Sequence, residues 1–207
     1  MLTWIFIRIG EEMLEGDTGA FDMAILRAAQ SLRTGHPWLA EVMLDLSGLG
    51  SVTVLTLFSI VTVGYLAVVR SRQVALLVAL AVITGSGGVS LLKNGFSRPR
   101  PDVAFAELVP PGMSFPSGHA AMSAVVFLTL GALLASTRGR TLEQMYILAA
   151  ASLMTVLVGT SRIALGVHWA TDVLAGWAIG TAWALIWLLV ARVQTSRTSS
   201  LADSIDR

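Results

Sequence analysis

The chain has no cysteine, which excludes thiol catalysis, cysteine-ligated zinc and iron–sulfur ligation but leaves the redox compartment open. Charge is scarce too. Only 13% of the 207 residues are Asp, Glu, Lys or Arg, against about 25% in an average soluble domain. With 55% apolar residues and a net charge of +1, the chain is not disordered, not a disulfide-stapled module and not a basic nucleic-acid binder. An ordinary soluble domain also fits poorly. Lysine is nearly missing: thirteen of the fourteen basic residues are arginine, and the other is Lys93.

In place of charge there are long uncharged intervals: 46–69, 73–92, 108–137, 144–161 and 173–191. About 20 mostly apolar residues carry a helix across the hydrocarbon core of a bilayer. Four intervals fit one crossing each. The third is a loop followed by a crossing, because Pro110, Pro111, Gly112 and Pro116 break its first part; its helix is predicted to start near Ser117 or Gly118. The fold class is therefore all-α, a polytopic helix bundle with five spanning helices. Met1 to Ile9 is apolar except for Arg8 but too short to cross, and Arg27, Arg33, Glu41 and Asp45 punctuate the next stretch, as in helices lying at the interface. We expect an interfacial or partial N-terminal region at 1–45, a membrane core at 46–192 and a cytoplasmic tail at 193–207.

Basic residues set the orientation. Arg70 and Arg72 separate the first two spans, Arg138 and Arg140 the third and fourth, and Arg192 and Arg197 follow the fifth. Parity puts all three sites on one side, expected to be cytoplasmic. Lys93, Arg98, Arg100 and Arg162 fall on the other side, together with His119, His168 and Asp172. That gathering of cations on the outer side needs a use.

The chemistry of these residues converges. Guanidinium and ammonium groups, a serine hydroxyl and the amides of a helix N-terminus bind phosphate oxygens. A neutral imidazole is a nucleophile and a protonated one a general acid. Asp172 follows His168 by four residues, one helical turn, where a carboxylate can hold the imidazole tautomer. A cation clamp beside two histidines suits phosphoryl transfer, which depends on positioning and charge neutralisation.

Three segments carry a resemblance: Lys93 through Arg100-Pro101, Pro116-Ser117-Gly118-His119, and Ser161-Arg162 with His168 and Asp172. In order and spacing they match the K-x6-R-P, P-S-G-H and S-R-x5-H-x3-D pattern. The chain thus resembles the type 2 phosphatidic acid phosphatase family, membrane lipid phosphatases whose catalytic core is shared with vanadium haloperoxidases. The resemblance covers roughly residues 45–190. It departs at the N-terminus, where bacterial members commonly carry a sixth spanning helix that this chain lacks in full.

The resemblance implies that His168 attacks phosphorus and forms a phosphohistidine, oriented by Asp172. His119 would protonate the leaving oxygen and then activate water. Lys93, Arg100, Ser117, the Gly118 backbone and Arg162 would bind phosphate. No metal or cofactor is implied, since fixed cations replace the ion. The implied partners are the bilayer and a lipid substrate: undecaprenyl diphosphate, phosphatidylglycerol phosphate, phosphatidic acid or a lipid A phosphate. With the orientation set by the basic loops, the expected location is the cell (inner) membrane, with the site facing the periplasmic or extracytoplasmic side. Two other readings stay open, a lipid phosphotransferase using the same intermediate and a phospholipid- or anion-binding transporter without chemistry. The motifs leave the choice of lipid and the oligomeric state undecided.

Residues outside the pattern have plainer readings. Arg98 is a headgroup contact or a loop support, and His36 an interfacial loop residue. The six tryptophans are expected as interface anchors, and Gly85, Gly87 and Gly88 as points of close helix packing.

Overall fold

The computed structural model describes residues 1–69, 72–108 and 110–205, with side chains described as far as residue 194. Arg70 and the Arg197 side chain, both used above for orientation, lie outside the described residues. Among those residues every regular element is helical. Nine α-helices follow in order: α1 Leu2–Glu15, α2 Gly19–Gly35, α3 Trp38–Gly48, α4 Val52–Val69, α5 Arg72–Phe96, α6 Gly118–Ser123, α7 Thr129–Ala135, α8 Thr141–Ala164 and α9 Ala170–Ile205. A π-helical turn, Ala124–Leu128, joins α6 to α7.

Among the described residues, five stretches are long and apolar enough to cross a membrane: Trp38–Val69, Arg72–Phe96, Gly118–Ala135, Thr141–Ala164 and Ala170–Gln194. The third opens with Ser117 immediately before Gly118, where the prolines end. The first is longer than the uncharged interval that announced it. α3, expected as an interfacial helix, runs into α4 through a turn at 49–51. Gly50 in this turn lies so close to α8 and α6 that a Cβ would stand 2.2 Å from Val158 Cγ1 and 3.3 Å from His119 Cδ2.

α9 is the central helix, in contact with α1, α5, α6 and α8. Its tightest contact is with α6. A Cβ at Gly176 would meet the Ser117 carbonyl oxygen at 2.8 Å, and one at Gly180 the Ala121 carbonyl oxygen at 2.3 Å. Four residues apart, these glycines share a helix face and let two backbones approach as side chains never could. Of the three glycines expected at close packing, Gly85 meets Trp183, whereas Gly87 and Gly88 have nothing within 4 Å.

The tryptophans depart from expectation for a related reason. Trp4 and Trp38 are exposed, but the indole N–H groups of Trp169, Trp177 and Trp183 donate to the carbonyls of Pro99, Thr155 and Ala81. Those three join elements to one another.

The N-terminal helices brace the core from the side of the loops. α1 packs along α9 and buries Phe6 against Phe115 and Phe96, with ring centroids 5.7 and 6.1 Å away. Fourteen residues rise only about 21 Å, so α1 is a partial helix, as its length suggests. α2 crosses the ends of α8 and α9. Arg33 donates to the carbonyls of Ala164, at the end of α8, and Phe105, and pairs with Glu107 at 3.0 Å.

Substitution tests the α6–α9 contact. Gly180→Ala is expected to lower stability by about 1–3 kcal/mol through overpacking, and Gly87→Ala to be neutral or slightly stabilising. Thermal unfolding in detergent micelles reads both; equal midpoints for the two variants would contradict the close approach.

Candidate active site

The three motifs meet at one end of the bundle because of chain direction. Lys93 ends α5, Gly118 and His119 open α6, Arg162 ends α8, and Asp172 opens α9. Lys93, Arg100, Gly118, His119, Arg162 and His168 line a single cavity of about 390 Å³, which continues between α4 and α5 along apolar residues such as Leu55 and Val82. Three cations and two imidazoles thus face one space.

His168 stands just before α9 and is almost wholly buried. Its Nδ1 lies 3.3 Å from Asp172 Oδ2. A carboxylate accepts only, so the proton resides on Nδ1 and Nε2 keeps its lone pair. Nε2 points to the cavity side, 3.0 Å from Arg100 Nη1. Burial pushes the His168 pKa down to about 4, and the Arg100 and Lys93 charges push the same way, against the hydrogen bond and charge of Asp172. The imidazole is therefore neutral at physiological pH, the form a nucleophile requires.

Asp172 holds that ring from a fixed frame. Its Oδ1 accepts from Arg98 at 2.7 Å. Its Oδ2 accepts from the Ser114 hydroxyl and from the Trp169 backbone N–H at 3.0 Å. The Trp169 bond is the returning half of a capping box, an N3 carboxylate satisfying the N–H that precedes the helix. Its backbone carbonyl accepts from the Ser117 N–H at 2.9 Å, so the second and third motifs are joined at this residue.

The cations are also seated. Lys93 Nζ donates to the Met113 carbonyl at 2.8 Å. Arg100 donates to the carbonyls of Gly112 and Val167 at 3.0 and 2.9 Å, and burial lowers its pKa from the ordinary arginine value while the Asp172 charge opposes the shift. Arg162 is buried and donates through Nη1 to the Ser47 hydroxyl. Its Nε and the Ser117 Oγ are buried without a hydrogen-bond partner. Such groups are costly to leave unmet, and both belong to the set read from the sequence as phosphate-binding.

Several residues of this site carry no local sequence signal. Ser114, Ser47 and Thr171 are ordinary serines and a threonine until the fold brings them to Asp172, Arg162 and Arg98. Asp22 lies in α2, far from every motif, and binds Arg98. Arg98 takes the loop-support role of its two readings, with its guanidinium held between carboxylates. His36 is exposed at the end of α2.

The chain is similar to several known proteins. A family model described as the PAP2 superfamily matches residues 73–196. Phosphatidylglycerophosphatase B of Bacillus subtilis (strain 168) is 36% identical over 163 residues, 77% of each chain. An undecaprenyl-diphosphatase of Sulfolobus acidocaldarius is 37% identical over 92 residues, 44% of this chain and 38% of that one. Among solved structures, the transmembrane PAP2 type phosphatidylglycerolphosphate phosphatase from Bacillus subtilis superposes with a TM-score of 0.86 at 29% identity, covering 92% of this chain and 94% of that one. Aquifex aeolicus LpxE does so with a TM-score of 0.62 at 30% identity, covering 80% and 93%.

The electrostatics of His168 are directly measurable. Nitrogen-15 NMR of the detergent-solubilised protein is expected to show His168 neutral and Nδ1-protonated at pH 6, titrating near pH 4. Between the unfolded value of about 6.5 and that pH the unfolded chain binds the extra proton, so His168 lowers stability as pH falls through this window. Midpoint titration near 6.5 would refute the assignment.

Proposed function

The chain belongs to the PAP2 superfamily, and from that premise we propose that it is an integral-membrane lipid phosphatase, hydrolysing a lipid phosphomonoester or diphosphate through a phosphohistidine on His168. The observation that carries this reading is the orientation of that imidazole, with Nδ1 on Asp172 and Nε2 beside Arg100 in a cavity lined by cations. Binding or transport of an anion uses the cations but has no need of an oriented, neutral imidazole.

The geometry supports the following reaction. Phosphate oxygens take over the N–H donors of Arg100 and engage Lys93, Arg162, the Ser117 hydroxyl and the Gly118 amide. His168 Nε2 forms a bond to phosphorus as the bond to the ester or bridging oxygen breaks. His119 gives its proton to that leaving oxygen. Asp172 stabilises the positive charge that spreads onto the imidazole. Water then attacks phosphorus, His119 takes its proton, and the phosphorus–nitrogen bond breaks to release inorganic phosphate. The cations neutralise the charge that a magnesium ion neutralises in other phosphoryl-transfer enzymes. The proposed turnover is metal-independent.

The relatives' names make phosphatidylglycerol phosphate and undecaprenyl diphosphate the first substrates to test, followed by phosphatidic acid and lipid A phosphate. The proposed location is the bacterial inner membrane with the site on the periplasmic side, because Arg72, Arg138, Arg140 and Arg192 lie at the opposite end of the bundle and basic loops face the cytoplasm.

Purified protein in mixed micelles is expected to release phosphate in the presence of EDTA and to be inhibited by vanadate. His168→Ala should lose turnover by about a thousandfold or more. Rapid quenching with phosphorus-32-labelled substrate should trap an acid-labile, base-stable phosphoenzyme in the parent and none in that variant. Label passed to a second lipid or sugar hydroxyl would assign a phosphotransferase instead. Lipid or anion flux with no phosphoenzyme would assign a transporter.

A further inference from the structure

Asp22 belongs to none of the motifs, yet its carboxylate has no exposed surface. Oδ1 accepts from the Thr171 backbone N–H at 2.9 Å. Oδ2 accepts from the Thr171 hydroxyl at 2.7 Å and from Arg98 Nη2 at 2.7 Å. Through Nη1 the same guanidinium donates to Asp172 Oδ1 at 2.7 Å and to Thr171 Oγ1 at 2.8 Å. Trp169 covers it, the ring centroid 5.3 Å from Cζ. A buried chain of charge thus runs from α2 to the nucleophile: Asp22, Arg98, Asp172, His168.

We propose that Asp22 is a positioning residue for the His168–Asp172 pair, acting through Arg98. Two physical effects support the role. Arg98 is planar and donates from both ends of its fork. With Asp22 and Thr171 on one side and Asp172 on the other, its plane is fixed. That fixes Oδ1 of Asp172 and hence the edge that Oδ2 presents to His168 Nδ1. The second effect is charge. One guanidinium shared by two carboxylates leaves Asp172 only partly neutralised, so it keeps negative charge for the imidazole that turns cationic as Nε2 bonds to phosphorus. Without the Asp22 charge, the whole cation falls on Asp172. The loss is felt in the transition state and not in substrate binding, because Asp22 does not line the cavity that holds the phosphate-binding residues.

Asp22 also caps α9, since Thr171 N–H is one of the unpaired donors at that helix start. A purely structural anchor would therefore alter stability and leave turnover per folded molecule unchanged. Asp22→Asn separates the two roles: the amide oxygen still accepts from the Thr171 backbone N–H and keeps the helix cap, whereas the charge and the oxygen that accepted from Arg98 and the Thr171 hydroxyl are gone. The expected result is a fall in kcat of about tenfold or more with KM within about twofold. In Asp22→Asn/Arg98→Gln, kcat should stay within about twofold of Arg98→Gln alone, because both substitutions cut one chain. In the free enzyme, the His168 Nδ1 proton should move upfield in Asp22→Asn as its bond to Asp172 weakens.

If Asp22→Asn does not fold, Thr171→Val removes the hydroxyl between Asp22 and Arg98 and leaves both charges. A smaller fall in kcat, about threefold, with KM unchanged, is expected. Parental kcat in these variants, an effect on KM alone, or losses that multiply in the double variant would overturn the proposal. The kinetic arms rest on the phosphatase reading, whereas the NMR arm needs no turnover. Absent turnover in the parent sinks that reading, and an unmoved Nδ1 proton in Asp22→Asn sinks this one.

Discussion

The carboxylate of Asp172 is the point on which the rest of the structure bears. It is wholly buried, at the start of a membrane-spanning helix, where an unpaired charge is among the costliest arrangements a protein can hold. Four donors meet that cost: Arg98, the Ser114 hydroxyl, the Trp169 backbone and the His168 imidazole. Each donor comes with a constraint. Arg98 brings the loop after α5, Ser114 the segment before α6, and His168 and Trp169 the approach to α9. Satisfying one carboxylate therefore assembles the site, and the same bonds turn the lone pair of the imidazole to the cavity side, where Arg100 meets it.

α2 does comparable work from outside the core. Asp22 and Arg33 are eleven residues apart, close to three helical turns, so they share a face about 16 Å long. The acidic end meets the N-terminus of α9 and the basic end the C-terminus of α8. Those signs match the partial charges of the two helix ends. One short helix thus holds in register the two that carry Asp172 and Arg162, and Gln30 between its ends donates to the Ala104 carbonyl of the loop between α5 and α6.

Close backbone approach supplies what charge does not. Gly176 and Gly180 let α9 lie against Ser117 and Ala121 of the second motif, and Gly50 lets the α3–α4 turn reach His119. These contacts put the two histidine-bearing segments side by side. The steric signal in α9 is readable once found, since two glycines four apart in an apolar helix are a common device for helix contact. Gly85, Gly87 and Gly88 look alike in the sequence, but only the first approaches another helix. Composition does not say which face of a helix has a neighbour.

Hydropathy and parity made the spans legible, because a bilayer requires about 20 uncharged residues per crossing and successive crossings must alternate in direction. From those two facts alone Lys93, Arg100, Ser117, Gly118, His119, Arg162, His168 and Asp172 fall at one end of the bundle, and the end where they meet was determined by the sequence. What only the tertiary structure decided is which partners satisfy them. Asp22, Arg33, Ser47 and Ser114 sit at no periodic spacing from the residues they bind, and a contact such as that of Asp22 with Thr171 spans 149 positions of chain. The same holds for α3, a helix punctuated by Glu41 and Asp45 that leads through a turn into α4. Local spacing records what a helix turn or a bilayer demands of neighbouring residues. The desolvation of a buried charge is met by whichever donor the folded chain brings within hydrogen-bonding distance, and that is written only in three dimensions.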